Sequence, residues 1–317
     1  MIDILLLILA LAGLWVGAEL IIKGSVEIAR HYKISELFIG LTIVAFGTDL
    51  PELFISATAA VDKLRGFDTS GLVVGQAIGS SFSQIALMFG ILGLIAVIKI
   101  SKKELFRDGA MLLMSIILLF LLALDGQLSR TDGAILLAFY LFYFFSLLRR
   151  EQFREKIFNH DRGYRLWSII SLIAGFGILL YASDLTIESA LAISQRYHIA
   201  QRYIGILLVG LGTSLPELVT TVSAIKRRAG SLAVGNLLGS TIFDLLFALG
   251  LGVSISGFSV NRELAVYDIP LLFIVCAITL IMLSTGKKLY RIEAIFLLVI
   301  YLIYFIARLS GGLAGMV

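Results

Sequence analysis

Runs of about 20 apolar residues follow one another from one end of this chain to the other, separated by short polar connections. Each run is long enough to cross the roughly 30 Å of bilayer hydrocarbon as a helix. Inside hydrocarbon every backbone N–H and C=O must be satisfied internally, which leaves a bundle of spanning helices. The expected class is therefore an all-α membrane protein embedded in the lipid bilayer. Composition agrees: 59% of residues are hydrophobic and 15% charged, against about 45–50% and about 25% in soluble domains. Mean hydropathy is +0.99, so a sizeable water-soluble domain is excluded.

Ten spans are expected, at about 2–22, 36–62, 72–98, 109–124, 132–148, 165–187, 200–225, 232–256, 268–284 and 292–308. The first begins at Asp3 without a basic flank and runs past any small-residue cleavage pattern, so it reads as an uncleaved span. An even count puts both termini on one side. Sorting the connections on that basis leaves seven Lys and Arg on the terminal side and nineteen on the other, out of 26. Positive residues stay in the cytoplasm, which places both termini outside. The net charge of +4 thus reports topology, and neither nucleic acid nor a protein partner is expected. The longest connection divides the chain into residues 1–148, a cytoplasmic linker at 149–164, and residues 165–317. The single Cys276 reads as a buried small hydrophobe.

The two parts repeat each other. IGLTIVAFGTDLPEL from Ile39 aligns with IGILLVGLGTSLPEL from Ile204, and VVGQAIGSSFSQI from Val73 with AVGNLLGSTIFDL from Ala233. Five spans in each part force the second to enter the membrane from the opposite side. Two five-helix inverted-topology repeats are the hallmark of secondary transporters with a midplane site.

A carboxylate at membrane depth is costly unless paired, hydrated or bound to a cation. Glu52 and Glu217 occupy matching places in the second and seventh spans, each directly after a proline. Proline cannot donate and clashes with the preceding turn, so each helix is expected to break there and release carbonyls. Thr48, Thr213 and Ser214 add hydroxyls on the same segments. From the third and eighth spans, Ser80 and Ser240 follow a glycine, with Gln84 and Asp244 four residues on and on the same helical face. The result is an all-oxygen donor set suited to hard cations such as Ca²⁺, with no cofactor implied.

GTDLPEL with GQAIGSSFSQ, and GTSLPEL with GNLLGSTIFD, resemble the two alpha-repeats of the sodium/calcium exchanger family within the cation/calcium antiporters, of the short prokaryotic type. The resemblance implies exchange of Na⁺ for Ca²⁺ by alternating access, with the first and sixth spans sliding past the core. It also implies Glu52 and Glu217 as central Ca²⁺ ligands shared with Na⁺, and Thr48 and Thr213 as further calcium ligands. Ser240 and the carbonyl of Ala45 would serve an inner sodium site, Ser80, Ser214 and the carbonyl of Gly210 an outer one, and Asp244 the middle one.

Two departures stand out: Asp49 where the second repeat has Ser214, and Gln84 where related proteins carry Asn. Asp49 brings the count of carboxylates to four, with Glu52, Glu217 and Asp244, and opens proton-coupled or K⁺-dependent Ca²⁺ exchange as an alternative; otherwise Asp49 faces a watery vestibule or a hydroxyl. Gln84 narrows the middle position or is a structural amide. Glu19 and Asp184 match one another on the first and sixth spans and are expected to line an access route or sit at an interface. His31, His160 and His198 read as residues in or near loops, and Trp15 and Trp167 as lipid-facing or interfacial. A passive channel would explain the acids but not the repeat. An enzyme is not expected, since no HExxH pair or Ser/His arrangement lies at membrane depth.

Overall fold

The computed structural model describes residues 2–31, 45–95, 98–99, 102–150, 166–226, 230–286 and 288–314. Most of the expected linker at 149–164, the first part of the expected second span at 36–62, and His160 lie outside the described residues. Among the described residues nine helices are long and apolar enough to cross a membrane.

In chain order the helices are α1 (Ile2–His31), α2 (Ala45–Thr48) and α3 (Leu50–Leu64). Next, α4 (Ser70–Phe82) continues through a π-helical turn at Ser83–Met88 into Phe89–Ile95. Then come α5 (Lys102–Leu122), α6 (Arg130–Arg150) and α7 (Leu166–Tyr197). The helix α8 runs from Gln201–Ile204 through a π turn at Gly205–Val209 to Gly210–Thr213, and α9 spans Leu215–Lys226. Gly230–Phe243, a π turn at Asp244–Ala248 and Leu249–Ser256 make α10. A π turn at Leu264–Asp268 leads into α11 (Ile269–Gly286), and α12 (Arg291–Ala314) ends the described chain.

Helices α4 and α10 are the most enclosed, while the outer helices carry exposed Leu, Ile and Phe side chains. In water such a surface would be an aggregation liability; in lipid it is the expected outer coat. Trp15 and Trp167 lie on that coat, and Cys276 is buried.

Two helices outrun the sequence expectation furthest. The first, with an expected end at residue 22, continues to His31; the sixth, with an expected end at 187, continues to Tyr197. Neither apolar run is followed by a proline, and α1 carries on through Gly24, so each helix persists after the hydrophobicity ends. At 30 residues α1 is about 45 Å long, more than hydrocarbon alone requires. The end of α7 is set by His198, whose φ of 53° forms a left-handed cap, with Ile199 N–H donating to the Ser194 carbonyl at 3.0 Å. Lengthwise contact between α1 and α7 is the largest helix pairing, with Gly17 against the backbone of Gly175 and Gly24 against Ser168.

Four two-residue strands cross-link the connections. β1 (Ile98–Lys99) pairs with β4 (Lys288–Leu289), and β2 (Gln127–Leu128) with β3 (Phe258–Ser259), both antiparallel. β1 precedes α5 and β4 follows α11, so this bridge ties the start of one helix to the end of the other. The second bridge ties the end of α5 to the start of α11. These two helices, at matching places in the repeats, pack against each other in opposite directions.

Candidate functional site

Two helix breaks build the site. Between α2 and α3 the chain leaves helical geometry at Asp49 (φ −86°, ψ 1°), and between α8 and α9 it does so at Ser214 (φ −80°, ψ 1°). Pro51 and Pro216, two residues on, have no N–H to offer the carbonyls of Gly47 and Gly212. A new helix starts at once: Leu53 N–H donates to the Asp49 carbonyl and Leu218 N–H to that of Ser214, each at 3.2 Å. Glu52 and Glu217 therefore sit in the first turn of α3 and α9, at the end of each helix where the backbone dipole favours a carboxylate.

The facing wall comes from α4 and α10. Gln84 at the π turn of α4 bridges to α10 twice: its amide nitrogen donates to Asp244 Oδ2 at 3.0 Å, and its carbonyl accepts from Thr241 at 2.7 Å. The same nitrogen lies 3.3 Å from Ser80 Oγ, and the Ser80 hydroxyl donates to Asp244. Ser214 closes the ring, 3.2 Å from Ser80 Oγ and donating to the Gly210 carbonyl at 2.8 Å. Thr241 does not stand out in the sequence, although its match in the first repeat, Ser81, is also polar.

This convergence depends on α4 and α8 touching backbone to backbone. A Cβ on Gly79 would run into the backbone of Ile206, and one on Gly210 would come within 2.7 Å of Ser80 N. Only glycine lets the two helices approach closely enough for Ser80 to meet Ser214.

Glu52, Glu217, Asp49, Asp244, Thr48, Thr213, Ser214, Ser80, Ser240 and Gln84 are all buried. Asp49 faces Ser240 and Glu217, and Glu52 faces Thr213. Both oxygens of Glu52, both of Glu217, Oδ1 of Asp49 and Oδ1 of Asp244 are buried without a hydrogen-bond partner. A buried carboxylate oxygen left unpaired costs free energy that a cation would recover. Among the described residues no three His, Cys, Asp or Glu side chains form a compact metal cluster. A cation placed here would have to draw on hydroxyl and carbonyl oxygens as well as on acids. Ala45 opens α2; the Gly210 carbonyl already serves the Ser214 hydroxyl.

Glu19 and Asp184 are not part of this constellation. Glu19 is half exposed and ion-pairs with Lys23 at 3.1 Å, and Asp184 lies exposed on α7. Residues of α1 and α7, Gly13 and Gly177 among them, line an open apolar depression of about 570 Å³.

Comparison with known proteins adds independent information. The family model described as sodium/calcium exchanger protein matches residues 2–149 and 167–309. The chain is 29% identical to the sodium/calcium exchanger MaX1 of Methanosarcina acetivorans, over 96% of this chain and 98% of that protein. It is 31% identical to an uncharacterized membrane protein of Methanocaldococcus jannaschii, over 96% of this chain and 97% of that one. Among solved structures, one of the sodium-calcium exchanger NCX_Mj soaked with Na⁺ and Sr²⁺ superposes with a TM-score of 0.67 at 28% identity, covering 96% of this chain and 98% of that one.

Proposed function

The chain belongs to the sodium/calcium exchanger family, and from that premise we propose that it exchanges Na⁺ for Ca²⁺ across the plasma membrane by alternating access. The observation that carries the reading is the group of six unpartnered, buried carboxylate oxygens on Asp49, Glu52, Glu217 and Asp244. Glu52 and Glu217 are the central Ca²⁺ ligands, supplemented by Thr48 and Thr213. Ser240 with the Ala45 carbonyl, and Ser80 and Ser214 with the Gly210 carbonyl, serve Na⁺ on either side, and Asp244 completes the middle. Ca²⁺ takes 6–8 oxygens at about 2.3–2.6 Å, a number this donor set can meet.

Ten spans in two inverted repeats, residues 1–148 and 165–317 with 149–164 as linker and both termini outside, complete the reading. The crossed bridges β1–β4 and β2–β3 support it, because a twofold axis in the membrane plane exchanges one for the other. The matching helix breaks at Asp49 and Ser214 support it in the same way.

Binding is tested by thermal unfolding of the detergent-solubilised protein. Ca²⁺ should raise the melting temperature, by linkage with the folded state, and Na⁺ but not choline should compete. A melting temperature indifferent to Ca²⁺ up to millimolar levels would overturn the site.

Asp49 favours a second reading, exchange driven by protons or K⁺, since it adds a buried carboxylate where the matching residue is Ser214. Asp49→Ser separates the two. With Na⁺ as the coupling ion, uptake driven by a Na⁺ gradient persists in the variant; with H⁺ or K⁺, the uptake that those gradients drive disappears.

Gln84 gives a further expectation. Its amide donates to Asp244, so Gln84→Leu leaves the Asp244 carboxylate without that donor and raises the Ca²⁺ concentration for half-maximal uptake by about tenfold, as loss of a partner to a ligand typically does. An unchanged concentration dependence would make Gln84 a spacer.

A further inference from the structure

The helix that carries Ser80 and Gln84 is gripped from outside by α12. Phe82 lies between those two residues, at the point where α-helix gives way to the π turn of α4. Its ring stacks on that of Tyr304, with centroids 3.8 Å apart and planes 12° from parallel. One turn earlier on α12, the Tyr301 hydroxyl lies 3.3 Å from Ser83 Oγ. Tyr304 is itself tied down: its hydroxyl donates to Asp268 Oδ1 at 2.9 Å, and Arg308 pairs with the same oxygen at 2.8 Å. Phe82, Tyr304 and Asp268 are all buried.

The other repeat carries a related arrangement: Asp108 and Tyr143 match Asp268 and Tyr304, while the arginine and the pressed ring come from different positions. The Tyr143 hydroxyl donates to buried Asp108 at 3.0 Å, and Arg107 pairs with that carboxylate at 2.6 Å. Tyr140, one turn before Tyr143, meets Phe243 edge-on at 5.6 Å, and Phe243 is the last residue before the π turn that Asp244 opens. In each case a helix anchored through an aspartate–tyrosine bond presses an aromatic ring at an α-to-π junction. Both junctions lie next to polar residues of the site, which generic ring packing does not require.

A π turn accommodates one extra residue in the helix and is intrinsically less favourable than the α-helix around it. If the π turn reverted to α-helix, the side chains within and beyond it would rotate by up to about 100° relative to those before it. Gln84 would then lose Asp244 while Ser80 kept its place.

We propose that Tyr304 is a positioning residue, pinning the α-to-π junction of α4 through Phe82 so that Gln84 stays in register with Asp244. The proposal rests on the site reading given above. Its test is ⁴⁵Ca²⁺ uptake by proteoliposomes across a range of Ca²⁺ concentrations, normalised to folded protein, for Tyr304→Leu, Tyr304→Phe and Phe82→Leu, with Glu52→Gln as the blank.

Tyr304→Leu and Phe82→Leu each remove the stack and should raise KM for Ca²⁺ by about tenfold, with kcat within about twofold. Tyr304→Phe keeps the ring and should stay within about threefold of the parent KM. In a Gln84→Leu background, Tyr304→Leu should add less than about twofold, because residues acting through one another are not additive. A lower yield or melting temperature with an unchanged KM in either leucine variant would overturn the proposal and leave the ring as packing. Full additivity with Gln84→Leu would overturn it too. Robust uptake by Glu52→Gln would instead overturn the site reading itself, a result independent of the Tyr304 series.

Discussion

Glu52→Gln and Glu217→Gln are each expected to abolish Ca²⁺ exchange while leaving a folded protein. Each carboxylate is buried in the first turn of a helix, with both oxygens unpartnered. Glutamine keeps the shape and one carbonyl oxygen but removes the charge that offsets the lost hydration of the ion. Loss of one such interaction costs about 3 kcal/mol, or about a hundredfold in affinity. The sign for the ion-free protein is the opposite. Neutralising an uncompensated buried carboxylate removes a desolvation penalty, so the melting temperature without Ca²⁺ should hold or rise while the Ca²⁺-induced increase vanishes. Thermal unfolding with and without Ca²⁺ checks both halves. A variant that retained the Ca²⁺-induced increase would exclude that residue as a ligand.

Gly79→Ala is expected to damage the fold severely, although it adds a single methyl group. The added Cβ would meet the backbone of Ile206, which cannot rotate away as a side chain can. Overpacking against rigid backbone costs about 3 kcal/mol, and it would push α4 from α8 and pull Ser80 from Ser214. Gly177→Ala is the matched control: Gly177 is exposed on α7, with no described atom near the added methyl, and alanine there should be neutral or stabilising by up to about 1 kcal/mol. Melting temperature and the fraction of monodisperse protein after solubilisation compare the two. Equal behaviour of the pair would contradict the close crossing of α4 and α8.

The broken helices are legible in the sequence because proline acts locally: Pro51 and Pro216 mark breaks that fall at Asp49 and Ser214. The nearness of Ser80, Gln84 and Asp244 is legible because polar residues in apolar runs, spaced by four, have few ways to be satisfied. The π turns are not legible, since Ser83–Met88 and Asp244–Ala248 have the composition of ordinary helix and the extra residue is imposed by packing. Helices α1 and α7 exceed their expected lengths because hydropathy reports where lipid ends, not where helix ends. The anchors Asp108–Tyr143 and Asp268–Tyr304 carry a readable signal, a buried acid repeated at nearly the same offset, but only beyond the polar strings that make the repeat obvious. What Gln84 does emerges only from the folded chain, because the partner that orients its carbonyl, Thr241, lies on another helix.

The proposed exchange is defined by coupling, in which Ca²⁺ would move in one direction because Na⁺ moves in the other through one site. The most direct measurement is ⁴⁵Ca²⁺ uptake into proteoliposomes under an outward Na⁺ gradient, an outward H⁺ gradient, or neither, with Glu52→Gln as the blank. Uptake should require the Na⁺ gradient and be absent from the blank. Uptake with no gradient of either ion, or uptake that survives in Glu52→Gln, would contradict the proposed exchange.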